Sequence, residues 1–148
     1  MIFFNNIFDA FSGAASKFEN YTAIIYLGER FSFRKLNDMA LSMAGSLSDM
    51  GLSTGDRAIL YLYNLPQNII AWLALQRLGA VAVPVAPVYS AYDLKYLASD
   101  CEAETIFCMD SNFNYVDETI PHTPLKRVIY TSMLEMVPWW QRAIAQGL

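Results

Sequence analysis

Short apolar runs alternate with longer stretches of helical periodicity along this chain, and this alternation limits its fold more than any other feature. Apolar runs occupy residues 57–63, 80–85, 104–109 and 127–131. Runs of this length are typical of strands buried in a sheet, and strands separated by helical stretches pair in parallel. The sequence therefore predicts an α/β fold, with a mostly parallel sheet and helices on both of its faces.

Helix boundaries are marked by capping residues. Ser32 is a suitable N-cap before an apolar stripe that Gly51 ends. Pro66 begins a second predicted helix and Gly79 ends it, and Ser90 begins a third that runs to about residue 99. Three glycines, at 51, 55 and 79, could suggest a phosphate-binding loop. They fit no GxGxxG or GxxxxGK[ST] pattern, so we interpret them as turn and cap residues.

Two parts of the chain, the N-terminal part and the connection before the fourth strand, depart from the alternation of strands and helices. Residues 7–18 have the spacing of a short amphipathic helix, and residues 22–33 predict a small β-hairpin that turns at Gly28. The connection before the fourth strand is polar and contains prolines, so it is predicted to be irregular. The strand order stays open at this point.

Composition bounds the partners. A length of 148 residues fits a single domain over 1–148, with 55% apolar and only 16% charged residues. Such a chain either buries a large core or presents an apolar face to a partner, and a homodimer through that face is one expectation. The net charge of −4, with scattered Lys and Arg, excludes a nucleic-acid footprint.

Membrane insertion and secretion are not expected. The most apolar stretch, residues 69–89, is interrupted by Gln76, Arg77 and two prolines, so no transmembrane segment is predicted. Cys101 and Cys108 show no metal-binding spacing and are interpreted as reduced core thiols. Two cysteines and no export signal favour a cytoplasmic location.

Few residues suggest chemistry. His122 stands between prolines without a neighbouring nucleophile, which favours a solvated loop histidine over a general base. Asp100, Glu102 and Glu104 crowd together as on a solvated helix exit, although a carboxylate or metal site is the alternative. The pair 139–140, both Trp, fits a helix that packs on further protein, with a membrane-interface anchor or a ligand groove as alternatives.

Four stretches, in order and in spacing, resemble the adenylate-forming superfamily of acyl-CoA synthetases, luciferases and peptide-synthetase adenylation domains. They are residues 31–37 (FSFRKLN), 51–58 (GLSTGDRA), 64–67 (NLPQ) and 75–85 (LQRLGAVAVPV). They are similar to the first core motif, the GxxxGDRV turn, the Asn-x-Pro-Glu motif and the second core motif of that family. Gln67 replaces the usual Glu of the third motif. The amino-acid sequence at residues 128–131 and at the Trp pair is most similar to that of long-chain fatty acid–CoA ligases.

The resemblance implies a Rossmann-like N-terminal subdomain of an enzyme that joins a carboxylate to ATP and then transfers the acyl group to coenzyme A. Such enzymes use a Ser/Thr/Gly-rich phosphate loop, an acidic ribose ligand and a mobile lysine, which are expected beyond residue 148. Accordingly no catalytic, cofactor-binding or metal-binding residue is assigned in this chain. ATP, Mg and coenzyme A are implied for a larger parent in which the segment 127–148 continues.

Two functions therefore stand side by side. The first is a scaffold subdomain of an acyl-CoA ligase that acts on a fatty or aromatic acid, inactive by itself and completed by the remainder of the ligase. The second is a stand-alone α/β module that binds a small ligand at the switch point of its sheet.

Overall fold

A computed structural model of the protein describes residues 6–145. It contains a β-hairpin, four further strands and six helices in this part of the chain. The helices are α1 (Ile7–Lys17), α2 (Phe33–Asp49), α3 (Pro66–Leu78), α4 (Ala91–Asp100), α5 (Phe113–Thr119) and α6 (Trp139–Ala145). The strands are β1 (Thr22–Tyr26), β2 (Glu29–Ser32), β3 (Arg57–Tyr61), β4 (Val81–Pro84), β5 (Thr105–Met109) and β6 (Arg127–Thr131).

The last four strands form one parallel sheet in the order β4-β3-β5-β6. Ile59 of β3 lies opposite Val83 of β4 on one side and Ile106 of β5 on the other, and Ile106 in turn lies opposite Val128 of β6. β1 and β2 form a separate antiparallel hairpin. The predicted α/β class, the parallel sheet and the hairpin are all confirmed.

Both faces of the sheet are covered, because alternate side chains of each strand point to opposite sides. Leu60 and Phe107 pack with α2 and α3, whose Leu47 and Leu75 belong to the same buried cluster. The residues between them on the strands pack with α4 and α5 on the other face. That second cluster includes Ile59, Tyr61, Leu94, Ala98, Ile106, Cys108 and Val116.

The predicted helix ends agree with the structure. The Ser32 hydroxyl accepts a hydrogen bond from the Lys35 N–H at 3.2 Å and so caps α2. Ser90 and Asp93 form a capping box at α4, and the hydrogen bonds from Ser90 lower the pKa of the Asp93 carboxyl. Gly79 ends α3 at φ 71°, where glycine avoids the cost that a side chain would bring.

Two predictions about elements are wrong. The run at 80–85 was expected to form a buried strand. Within residues 6–145, however, β4 is an edge strand that pairs with β3 alone, and Val81 is 49% exposed. The connection between β5 and β6 is not irregular, since it contains α5 between two single 3-10 turns. Only Val116 and Thr119 of α5 are buried, so a seven-residue helix leaves almost no periodic signal in the sequence.

Candidate functional site

The carboxyl ends of the parallel strands are the first place to look for a site. In open α/β sheets, ligands bind outside these ends where the strand order reverses. The reversal lies between β3 and β5, because β4 is placed on one side of β3 and β5 on the other. A ligand at the switch point would therefore sit between the ends of β3 and β5.

Asn112 bridges these two strand ends. Its Oδ1 accepts a hydrogen bond from the Met109 N–H at 2.9 Å, and its Nδ2 donates to the Tyr61 carbonyl at 3.4 Å. The residue is only 5% exposed. The protein's own side chain therefore holds the polar groups that a ligand at the switch point would otherwise contact.

A cavity of about 810 Å³ lies one strand away from the switch point, beside the carboxyl ends of β5 and β6. Its polar lining includes Asp110, Ser111, Thr131, Glu135 and Arg142. The Thr131 hydroxyl donates to the Glu135 carboxylate, and the Arg142 guanidinium donates to the carbonyl oxygens of Val137 and Glu135, at 3.0 and 2.6 Å. These side chains hold the turn after β6 rather than form a nucleophile and base pair.

Two apolar cavities of about 340 Å³ each lie between α2 and β6. They share five lining residues, which define what we name the methionine groove: Met39, Met43, Phe107, Ile129 and Met136. Methionine side chains are flexible and adapt to irregular apolar partners. The groove can therefore accept an apolar group of variable shape.

Gln67 closes one end of this groove and ties α3 to β6. Its Nε2 donates to the Thr131 hydroxyl at 3.2 Å and to the Ser132 carbonyl at 2.9 Å. The residue is 6% exposed, and among the described residues its Oε1 has no hydrogen-bond partner. The amide that replaces the usual Glu of the third motif thus has a structural contact of its own, because only an amide nitrogen can donate to the Ser132 carbonyl.

The candidates from the sequence do not assemble into a site. His122 is exposed in a 3-10 turn. Glu102 lies 3.5 Å from Arg57, and Glu104 pairs with Lys126 at 2.5 Å. Within residues 6–145, no three His, Cys, Asp or Glu side chains gather in a way that could hold a metal ion. Glu102 and Glu104 thus form ion pairs at the surface.

The Trp pair begins α6. Trp139 is 78% exposed and Trp140 about half exposed, so both offer apolar surface to solvent. In the described part of the chain, none of the helices has the length and apolar character needed to cross a bilayer.

The two cysteines differ in environment. Cys108 is completely buried in β5, and burial, with a smaller effect of the Asp110 charge, raises the pKa of its thiol to about 11. Cys101 is partly exposed at the end of α4, and both thiols are free. The interpretation of Cys108 as a core thiol is consistent with this geometry, because a buried protonated thiol is a poor nucleophile.

Alkylation should separate the two thiols. With iodoacetamide at pH 8, we expect Cys101 to react at least about tenfold faster than Cys108 in the folded protein, because Cys108 is shielded and protonated. Mass spectrometry of peptides after timed quenching measures both rates. In urea the two rates should become similar. Equal rates in the folded protein would contradict the buried position of Cys108.

Comparison with known proteins places this fold. The family model of the AMP-binding enzyme matches residues 11–145. The chain is 30% identical over 131 residues to the long-chain-fatty-acid–CoA ligase of Yersinia pestis. The aligned region covers 88% of this chain and 23% of that relative. It is 27% identical over 126 residues to the ligase of the same name from Bacillus subtilis, with 85% and 22% covered. The chain thus spans less than a quarter of the length of these relatives.

Solved structures agree in fold. A long-chain-fatty-acid-CoA ligase (FadD1) from Archaeoglobus fulgidus superimposes with a TM-score of 0.83 at 23% identity, over 91% of this chain and 30% of that one. The inhibitor-bound N-terminal domain of FACL13 from Mycobacterium tuberculosis superimposes with a TM-score of 0.82 at 21% identity, over 86% of this chain and 34% of that one. With the family model matched over nearly the whole described chain, this protein belongs to the AMP-binding enzyme family.

Proposed function

We propose that the chain is the N-terminal scaffold subdomain of an ATP-dependent acyl-CoA ligase, inactive by itself. The parent reaction joins a carboxylate to ATP with release of pyrophosphate, then passes the acyl group from the adenylate to the thiol of coenzyme A. The observation that carries the proposal is the family match over residues 11–145. The names of the relatives, long-chain-fatty-acid–CoA ligases, favour a fatty acid, and a cytoplasmic location goes with this proposal.

The groups that would bind ATP, Mg and coenzyme A are proposed to lie outside residues 6–145. Binding Mg²⁺ requires several oxygen ligands at one place, and the described residues bring no such set together. Triphosphate binding uses rows of backbone N–H groups in Gly-rich loops, and the sequence has no Ser/Thr/Gly-rich run. These residues therefore do not fit the cofactors, and the remainder of the ligase is the proposed partner that supplies them.

We propose that this chain supports the fold of the parent ligase and shapes part of its acid-binding pocket. The methionine groove is apolar and lies on the sheet face covered by α2 and α3. We propose that it forms one wall of the pocket for the acid's hydrocarbon part, because flexible thioether side chains accommodate chains of different length. Gln67 would then keep the end of that wall in place through its contacts with Thr131 and Ser132.

A stand-alone module that binds a small ligand is the second candidate. One observation favours it: the cavity of about 810 Å³ at the carboxyl edge has the size of ligand pockets in general. The cavity is displaced from the switch point, which Asn112 bridges. Of its polar side chains, Thr131 and Glu135 bond to each other and Arg142 bonds to backbone carbonyls. The geometry therefore favours the scaffold.

ATP–pyrophosphate exchange tests the proposal. With a panel of fatty and aromatic acids, we expect no carboxylate-dependent exchange from residues 1–148 alone, because the adenylation groups are proposed to lie in the remainder of the ligase. A gene product that extends past residue 148 should show exchange with at least one acid. Exchange by the 148-residue chain alone would contradict the proposal. Inactivity of both proteins would favour the binding module.

A further inference from the structure

The turn that follows β6 is held by side chains from distant parts of the chain. Gln67, at the start of α3, donates from Nε2 to the Thr131 hydroxyl at 3.2 Å and to the Ser132 carbonyl at 2.9 Å. The Tyr26 hydroxyl of the hairpin donates to the Met133 carbonyl at 3.0 Å. The course of the chain after β6 is therefore set by contacts that span more than 60 residues of sequence.

The hydrogen bonds at Gln67 run in one direction. Its Nε2 donates to the Thr131 hydroxyl, and that hydroxyl donates its own proton to the Glu135 carboxylate. The Ser132 carbonyl, the second partner of Nε2, can only accept. Both partners therefore need a donor at position 67, and an ionised carboxylate has no proton to donate.

The surroundings of Gln67 also disfavour a negative charge. The residue is 6% exposed and lines an apolar cavity, and its Oε1 meets no hydrogen-bond donor within residues 6–145. Of the other residues around this cavity, Glu135 and Tyr130 can ionise, and those from α2 and β5 carry no charge. Arg142 of α6 bonds to the Glu135 carbonyl and does not line this cavity. A carboxyl group at position 67 would be desolvated, would lack donors and would face the Glu135 carboxylate, and each effect raises its pKa.

We propose that Gln67 is a positioning residue, whose uncharged amide fixes the course of the chain after β6. The Glu that is usual in the third motif could make the same contacts only in its protonated form, whereas an amide makes them at every pH at which the protein is folded. The link to the reaction rests on the proposed function. In that function the turn leads from the sheet toward the remainder of the ligase, so Gln67 acts through the path of the chain and touches no substrate.

Hydrogen exchange of the turn tests the proposal. The Glu135 and Val137 amides are hydrogen-bonded within the turn, to the Ser132 and Leu134 carbonyls. Gln67→Met keeps a side chain of similar size but has no donor, so we expect these amides to exchange about tenfold faster than in the wild type at every pH. Mass spectrometry of labelled peptides between pH 5 and pH 8, with the wild type measured at the same pH, gives the ratio.

Gln67→Glu separates a donating side chain from one that only fills space. We expect its exchange ratio to the wild type to rise at least about fivefold from pH 5 to pH 8. The sign follows from the raised pKa of the buried carboxyl group. Its contacts are complete below the unfolded-state pKa of about 4.3 and are lost as the pH rises through the folded-state pKa.

Asn68→Asp is the matched control, because it makes the same change of amide to carboxylate one residue further along α3. Asn68 donates to the Tyr63 carbonyl and not to the turn, so this variant should leave the exchange of the turn unchanged at every pH. Circular dichroism at each pH checks that the variants are folded. If Gln67→Met does not fold, Gln67→Glu alone decides, since one protein is compared with itself across the pH range.

Two results would overturn the proposal: unchanged exchange of the turn in Gln67→Met, or a ratio for Gln67→Glu that does not vary with pH. The measurement needs no acid, ATP or coenzyme A. Its failure is therefore distinct from failure of the ligase role, which pyrophosphate exchange tests separately.

Discussion

Asn112→Ala is expected to lower the free energy of unfolding by roughly 2–4 kcal/mol. The substitution removes both hydrogen bonds of the Asn112 side chain and leaves the Met109 N–H and the Tyr61 carbonyl without that partner. Each buried polar group left unsatisfied costs about 1–3 kcal/mol. Because Asn112 is 5% exposed, water replaces the lost partner poorly.

Urea unfolding followed by tryptophan fluorescence and circular dichroism measures this loss. Asn114→Ala is the control, because Asn114 is exposed in α5 and two residues away in sequence, and it should change stability by no more than about 0.5 kcal/mol. A loss below 1 kcal/mol for Asn112→Ala would show that the two strand ends do not depend on this side chain. The interpretation that Asn112 links the ends of β3 and β5 would then be wrong.

The parallel sheet and its helices could be predicted from the sequence because burial repeats with the period of each element. The runs in β3 and β5 are almost continuously apolar since helices cover both sides of them. Ser32, Gly79 and Ser90 signalled helix ends by local chemistry that needs no tertiary contact, and each stands at the predicted place. The family resemblance rested on four stretches, two of which contain Ser32 and Gly79, and the family match confirms it.

Features that depend on distant parts of the chain could not be predicted. The exposure of β4 follows from its place at the sheet edge, and strand order is a property of the whole fold. Asn112 follows an apolar strand as many turn residues do, so nothing in its neighbourhood marks it as a bridge to β3. Gln67 was visible as a departure from a motif, but its partners Thr131 and Ser132 lie more than 60 residues away.

Gly79→Ala is expected to destabilise the protein by roughly 1–3 kcal/mol through two separate effects. Gly79 has φ 71°, a left-handed conformation that costs a residue with a side chain about 1–2 kcal/mol. A Cβ at this position would also lie 3.1 Å from Cγ2 of Thr54. Thr54 cannot rotate away freely, because its hydroxyl donates to the Leu78 carbonyl at 2.8 Å.

Two comparisons separate these effects. Gly45→Ala lies inside α2, and apart from the neighbouring backbone of that helix no atom lies within 4 Å of the new Cβ, so it should instead stabilise the protein by about 0.5–1 kcal/mol. Thr54→Ser removes Cγ2 and keeps the hydroxyl, so the double variant Thr54→Ser with Gly79→Ala should recover the steric part of the loss but not the backbone part. Thermal and urea unfolding of the wild type, Thr54→Ser, Gly79→Ala and the double variant give the double-mutant cycle. If both Gly→Ala changes shift stability in the same direction, the left-handed end of α3 is not the conformation that the folded protein adopts.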